Sequence, residues 1–157
     1  MPRRKYNKRD AKTDLVYNSL AVAKLVNLIM MDGKKDIARS IVYEVMDRIK
    51  ETKKDPLEVL ETVIQKVGPK VTVRPRRIGG ASYMVPKEVI PSHRMFLGLK
   101  WIIDSARARS NKEFKTFADK LYAEMTDALE GKGAAFDKKL QTEKLAEANK
   151  VFAHFAW

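Results

Sequence analysis

Between Gly68-Pro69 and Pro91 the chain stops repeating at the helical period and becomes extended, in the stretch VTVRPRRIGGASYMVP from Val71 to Pro86. Val71, Val73, Tyr83, Val85 and Val89 are strand formers. Gly79-Gly80 can take the positive φ angles that a two-residue hairpin turn demands. Pro75 and Pro86 each remove a ladder donor, so both strands are expected to have exposed edges. These constraints predict a lone two-stranded ribbon over residues 71–90. Such a ribbon is marginally stable in water, so it is expected to be mobile beyond the domain until a partner orders it.

Helical spacing governs the rest. A first helix, capped by Asn18 or Ser19, is apolar on nearly every side through Met31 and stops at Gly33, which places it at the centre of a domain. A second runs from about Asp36 to Lys53 with Ile37, Ile41, Val45 and Ile49 on one face. Asp55-Pro56 is a cap-plus-first-position signature for a third, carrying Leu57, Leu60, Ile64 and Val67 up to Gly68-Pro69. Pro91-Ser92 starts a fourth, with Phe96, Leu99, Ile102, Ile103 and Ala106. Ser110 and Glu113 read as a capping box for a fifth that buries Phe114, Phe117, Leu121, Met125 and Leu129 before Gly131. A sixth is expected from about Asp137 to Phe152, with Leu145, Ala148 and Phe152 on one side. The predicted fold is mainly α: one domain over residues 1–157, a six-helix bundle with a protruding two-stranded β-hairpin between helices three and four.

Charge narrows the function. The chain of 157 residues carries a net +12, of which residues 1–12 contribute +5 and residues 62–87 contribute +6. The remaining 119 residues are nearly neutral, so the excess is local, and local positive charge points to a polyanion. The arm at residues 1–12 is expected to order on such a ligand. Arginine's planar fork matches phosphate oxygens. Arg74 and Arg76 share one strand parity and Arg77 takes the other, so cations face both ways from the ribbon. A solvated edge that merely discourages aggregation would need only a lysine or two. Arg94, Lys100, Arg107 and Arg109 on the fourth helix, with Lys112 and Lys115 beyond it, extend the basic surface. Tyr6, Tyr83 and Trp157 lie in basic or terminal segments, where stacking on unpaired bases and packing on the bundle are both open.

Several chemistries lack residues. With no cysteine there is neither a disulfide nor a thiolate metal site, and a reducing compartment is the natural reading. His93 and His154 lie far apart in sequence and read as structural or exposed. Gly33-Lys34-Lys35 has neither the upstream glycine nor the following Ser or Thr of a phosphate-binding loop. The ribbon has no acidic pair for metal-assisted catalysis. No enzyme, no cofactor and no membrane association are expected, and the location expected is cytoplasmic. Two rivals stand beside an RNA-binding reading: an architectural DNA-binding protein that lays the ribbon in a groove, and a nucleic-acid-processing enzyme.

LVNLIMMDGKKDIA, VRPRRIGGASYMVPKEV, ARARSNKEF and GAAFDKKLQTEKLAEANKVFAHFAW together resemble the family of small-subunit ribosomal protein seven, bacterial type, collinearly over essentially the whole chain. The resemblance implies binding to the 3′ major domain of small-subunit ribosomal RNA, nucleation of head assembly, and a position by the exit-site transfer RNA and the messenger path. It also implies small-subunit proteins nine and eleven as neighbours. Carried over by position, ribosomal RNA contact falls on Arg3, Arg4, Lys5 and Arg9 of the arm, and on Lys34 and Lys35. It falls further on Arg76 and Arg77 of the hairpin, and on Arg94, Arg107 and Arg109 of helix four. Gly79, Gly80 and Tyr83 are implied at a hairpin tip facing transfer RNA.

Overall fold

The computed structural model describes residues 12–156. In chain order it contains α1 (Leu20–Ile29), α2 (Lys35–Glu51), α3 (Pro56–Val67), β1 (Val71–Ile78), β2 (Ala81–Glu88), α4 (Pro91–Ala108), α5 (Phe117–Leu129), α6 (Ala134–Ala148) and a 3-10 helix (Lys150–Phe155). The mainly helical fold with an antiparallel hairpin between α3 and α4 is the one the patterning predicts. The expected arm lies almost wholly outside the described residues.

Five helices build the core. Val22, Leu25 and Val26 of α1 are completely enclosed among Val42 and Met46 of α2, Leu60 and Val63 of α3, Leu99 and Ile102 of α4, and Leu121 and Met125 of α5. Burying each such side chain favours folding by roughly 1.5–3 kcal/mol relative to leaving it in water. The helix all but surrounded by apolar residues is therefore central, as its composition requires. Helices α3 and α4 approach closely where both carry glycine: a Cβ on Gly68 would lie 2.8 Å from the Arg94 side chain and from the Ile64 carbonyl. Gly68 has φ −69°, so it ends α3 through close contact and not through a left-handed turn.

Helix ends differ from expectation in three places. Ser19 occupies the cap of α1 without a side-chain bond; Asp14 instead accepts the Val16 and Tyr17 amides at 3.1 and 3.2 Å and the Tyr43 hydroxyl at 2.9 Å. Burial alone would push the Asp14 carboxyl up, but these three donors outweigh it and hold it below the usual range. The capping box of α5 is Thr116 with Asp119, not Ser110 with Glu113. Ser110 only accepts the Lys112 amide, and Phe114 sits in the loop under the Arg109 guanidinium, 5.5 Å from its ring centre. The last helix ends at Ala148 and tightens into the 3-10 turn, so Phe152 leaves the bundle face expected of it.

Two faces also differ. Ile37 is 59% exposed, on the wall of an open groove that it shares with Ile29, Met31 and Lys34. Phe96 is 38% exposed, on the side of α4 turned away from the core.

The hairpin has the predicted turn. Gly79 (φ +56°) and Gly80 (φ +90°) connect strands paired from Val71 with Glu88 to Ile78 with Ala81. It is not a bare ribbon, however. Helix α6 packs against β1, and the 3-10 helix packs along β2. Val85 and Pro86 are buried there, and the Tyr83 ring lies 5.1 Å from Phe152 and 6.0 Å from Phe155. At the root, the Val89 amide bonds to the Lys70 carbonyl at 3.0 Å, and the Lys70 amide to the Glu143 carboxylate at 3.2 Å.

Asp119 also holds Arg48 of α2, tying α5 to α2. Arg48 first, then the Thr116 hydroxyl and amide, lower its carboxyl from 3.8 to about 2. Its contribution to stability is complete at neutral pH, erodes as the pH falls below the unfolded value of 3.8, and is gone below about 2. Thr116→Ala is expected to cost about 1 kcal/mol at neutral pH. Asp119→Asn should flatten the loss of stability between pH 4 and 2, as read by urea unfolding across that window. An unchanged slope would show that this pair does not drive the acid transition.

Candidate nucleic-acid interface

The cations expected to form one surface fall into two physical groups. Those on α4 are largely engaged within the chain. Arg94 donates to the Gly68 carbonyl at 3.0 Å and to the Gln65 carbonyl at 2.7 Å, closing the last turn of α3. Arg107 is exposed but reaches the Ile29 carbonyl at 3.4 Å, at the end of α1. Both positions put positive charge on a helix C-terminus, where the macrodipole favours it.

Arg109 is the most committed. Its guanidinium donates to Glu124 at 2.7 Å and also pairs with Asp127, with the arginine side chain 20% exposed and Glu124 only 1%. Burial disfavours its charge, but the hydrogen bonds to Asp127 and Glu124 outweigh this and raise its pKa. Glu124 spends its other oxygen on the Ala135 amide at 3.0 Å, at the start of α6. Beside it the buried Lys120 donates to the Arg109 carbonyl at 2.6 Å and to Asn111. One carboxylate thus joins the loop after α4, helix α5 and the first turn of α6. Arg94 and Arg109, both expected at the RNA surface, thus each spend Nε and one terminal nitrogen on partners inside the chain.

The hairpin is the opposite case. Arg74 and Arg77 are exposed and, among the described residues, have no carboxylate partner. Lys87 is equally exposed and unpaired, and Arg76 is half-buried on the Arg74 face. Lys34 and Lys35 are exposed where α2 begins, and Lys34 shares a groove of about 360 Å³ with Arg107, Met31, Ile37 and Phe117. The structure therefore unites Lys34 with Arg107, and Arg76 with Arg74, but does not merge α4 and the hairpin into one sheet of unpaired charge.

Gly79 and Gly80 stand exposed at the tip, with open space where a Cβ would be. Tyr83 does not accompany them. It pairs with Arg76 across the ladder and turns its ring onto Phe152 and Phe155, so packing wins over an open stacking face. Arg3, Arg4, Lys5 and Arg9 lie outside the described residues, as do Tyr6 and Trp157.

The sequence reading missed one cluster. His93 and Phe96, three apart on α4, have nearly parallel rings (15°) with centres 6.0 Å apart, beside the hairpin root. Their i, i+3 spacing is the signal that would have joined them. Among the described residues, no group of histidine and carboxylate side chains could hold a metal ion. Nor is any helix there long and apolar enough to cross a membrane.

Comparison with known proteins adds a consistent result. The family model for ribosomal protein S7p/S5e matches residues 1–150. The chain is 50% identical to small ribosomal subunit protein uS7 of Caldicellulosiruptor bescii, over the full length of both. It is 49% identical to that of Heliobacterium modesticaldum, again over both full lengths. It is 50% identical to that of Francisella tularensis, over 96% of this chain and 95% of that one.

The two groups of cations should separate experimentally. Glu124→Ala removes the acceptor of the Arg109 Nε and of the Ala135 amide at a buried site, leaves Arg109 only Asp127, and should cost about 3 kcal/mol. Arg77→Ala, on an exposed ribbon, should stay within about 0.5 kcal/mol of the parent. Chemical denaturation of both variants checks the contrast, and equal losses would contradict the division.

Proposed function

This chain belongs to the ribosomal protein S7p/S5e family, bacterial type, and on that premise we propose that its hairpin and N-terminal arm clamp the 3′ major domain of small-subunit ribosomal RNA. It is a non-enzymatic structural constituent of the small ribosomal subunit, binds ribosomal RNA and serves translation. The observation that carries the finer reading is the pair Arg74 and Arg77, exposed on opposite faces of the ribbon and unpaired among the described residues. Guanidinium groups left without carboxylates gain most from phosphate, and two faces suit insertion between RNA segments.

In this reading Arg3, Arg4, Lys5 and Arg9 hold the RNA from the arm, Lys34, Lys35 and Arg107 from the ends of α1, α2 and α4, and Arg76 and Arg77 from the hairpin. Arg94 and Arg109 serve the same end indirectly, by fixing α3, α4, α5 and α6 against one another. Binding there nucleates assembly of the subunit head. The Gly79-Gly80 tip, with no side chain to obstruct it, lies by the exit-site transfer RNA and the messenger path. Small-subunit proteins nine and eleven are the proposed neighbours. Tyr83 supports the tip from below, through its contact with Phe152.

Footprinting on isolated small-subunit RNA tests the assignment: protection should concentrate in the 3′ major domain and be absent from the 5′ domain. Arg77→Ala should weaken binding and lower the slope of log affinity against log salt by about one. A footprint elsewhere rejects the proposed RNA domain, and an unaltered slope rejects Arg77 as a phosphate contact.

A further inference from the structure

At the foot of the hairpin, the face of β1 and β2 that carries Arg74 and Lys87 meets the first turns of α4 in a groove of about 350 Å³. His93 and Phe96 line it with their nearly parallel rings, and Ile90, 70% exposed, borders it. Glu88 is the one carboxylate along it among the described residues. Neither Arg74 nor Lys87 has a carboxylate partner among the described residues. Phe96, stacked on His93, and the neighbouring Ile90 together leave a flat apolar patch open beside the groove. Two unpaired cations beside such a platform are what a nucleotide requires: a flat apolar face for the base and positive charge for its phosphate.

We infer that this groove is a stacking site for one unpaired nucleotide of the ribosomal RNA, with the base on Phe96 and His93 and the phosphate held by Arg74 and Lys87. The inference rests on the RNA-binding reading above and adds to it a base-contacting site that is not on the hairpin tip. Its volume lies near the lower bound, roughly 300 Å³, of pockets that enclose small organic ligands. The chemistry is tolerant of sequence, since every base offers a π-face, but it demands that the base be free of a duplex.

Full-length protein and 3′ major domain RNA provide the test. Phe96→Ala should weaken binding about fivefold or more. The salt slope should not change, since no charge is lost. Phe96→Leu, which keeps apolar bulk without a ring, should behave like the alanine variant, and Phe96→Trp should restore binding. The footprint of Phe96→Ala should lose protection at a single unpaired nucleotide and keep the remainder, while Lys87→Ala should lower the salt slope by about one. Wild-type affinity and footprint in Phe96→Ala would overturn the platform, even where Arg77→Ala still lowers the slope and leaves the RNA-binding reading intact. Recovery by leucine as fully as by tryptophan would overturn it too, in favour of plain apolar packing.

Discussion

A ribbon of two strands has no interior. Each strand has one neighbour, and whatever holds the ribbon in place must come from elsewhere in the chain. Here the support is the C-terminal segment: α6 lies against β1, the 3-10 helix follows β2, and Val85 and Pro86, on opposite faces of β2, are both buried. The Tyr83, Phe152 and Phe155 rings fasten the two together. The same demand explains the composition of α6, whose buried residues are Ala135 and Ala146. A helix sandwiched between bundle and ribbon must be slim on its inner side, and alanine allows that approach without costing helix propensity.

The support is itself anchored by charge. Glu124 receives Arg109 from the end of α4 and the Ala135 amide from the start of α6, so the helix that steadies the ribbon is oriented by a buried carboxylate. Arg48 with Asp119 links α2 to α5 in the same manner, closer to solvent. Glu124, Asp127, Asp119 and Glu44 are thus engaged by two arginines of the bundle, Arg109 and Arg48. On the hairpin, Arg74, Arg77 and Lys87 have no carboxylate partner among the described residues, and their charge remains available to a phosphate ligand. Rigidity and binding are served by the same residue type in two environments.

The turn and strands of the hairpin and the whole of α3 were legible in the sequence, because each depends on short-range chemistry: a Gly-Gly turn between strand formers, and Asp55-Pro56 opening a helix that ends at Gly68. The packing of α6 and the 3-10 helix on the ribbon was not. Nor was the start of α5. Ser110 with Glu113 and Thr116 with Asp119 both satisfy a capping pattern, and local sequence cannot choose between them. The choice came from tertiary demand: Asp119 must meet Arg48, and Phe114 must lie under Arg109. The fate of Phe96 was equally hidden, since the helical period assigns it to an apolar stripe but not to the edge of that stripe where packing ends.

Local order and the location of excess charge therefore belong to the sequence alone, since turns, caps and net charge arise from neighbours along the chain. Which cations stay open to a ligand was decided by the fold. Arg109 and Arg77 are the same residue, each in a basic stretch, and only the arrival of Glu124 and Asp127 from 15 and 18 positions away separates a structural ion pair from an exposed one. Tyr83 was decided in the same way, by the return of Phe152 and Phe155 from the far end of the chain. Pairing of that range is a property of packing, and no window of residues contains it.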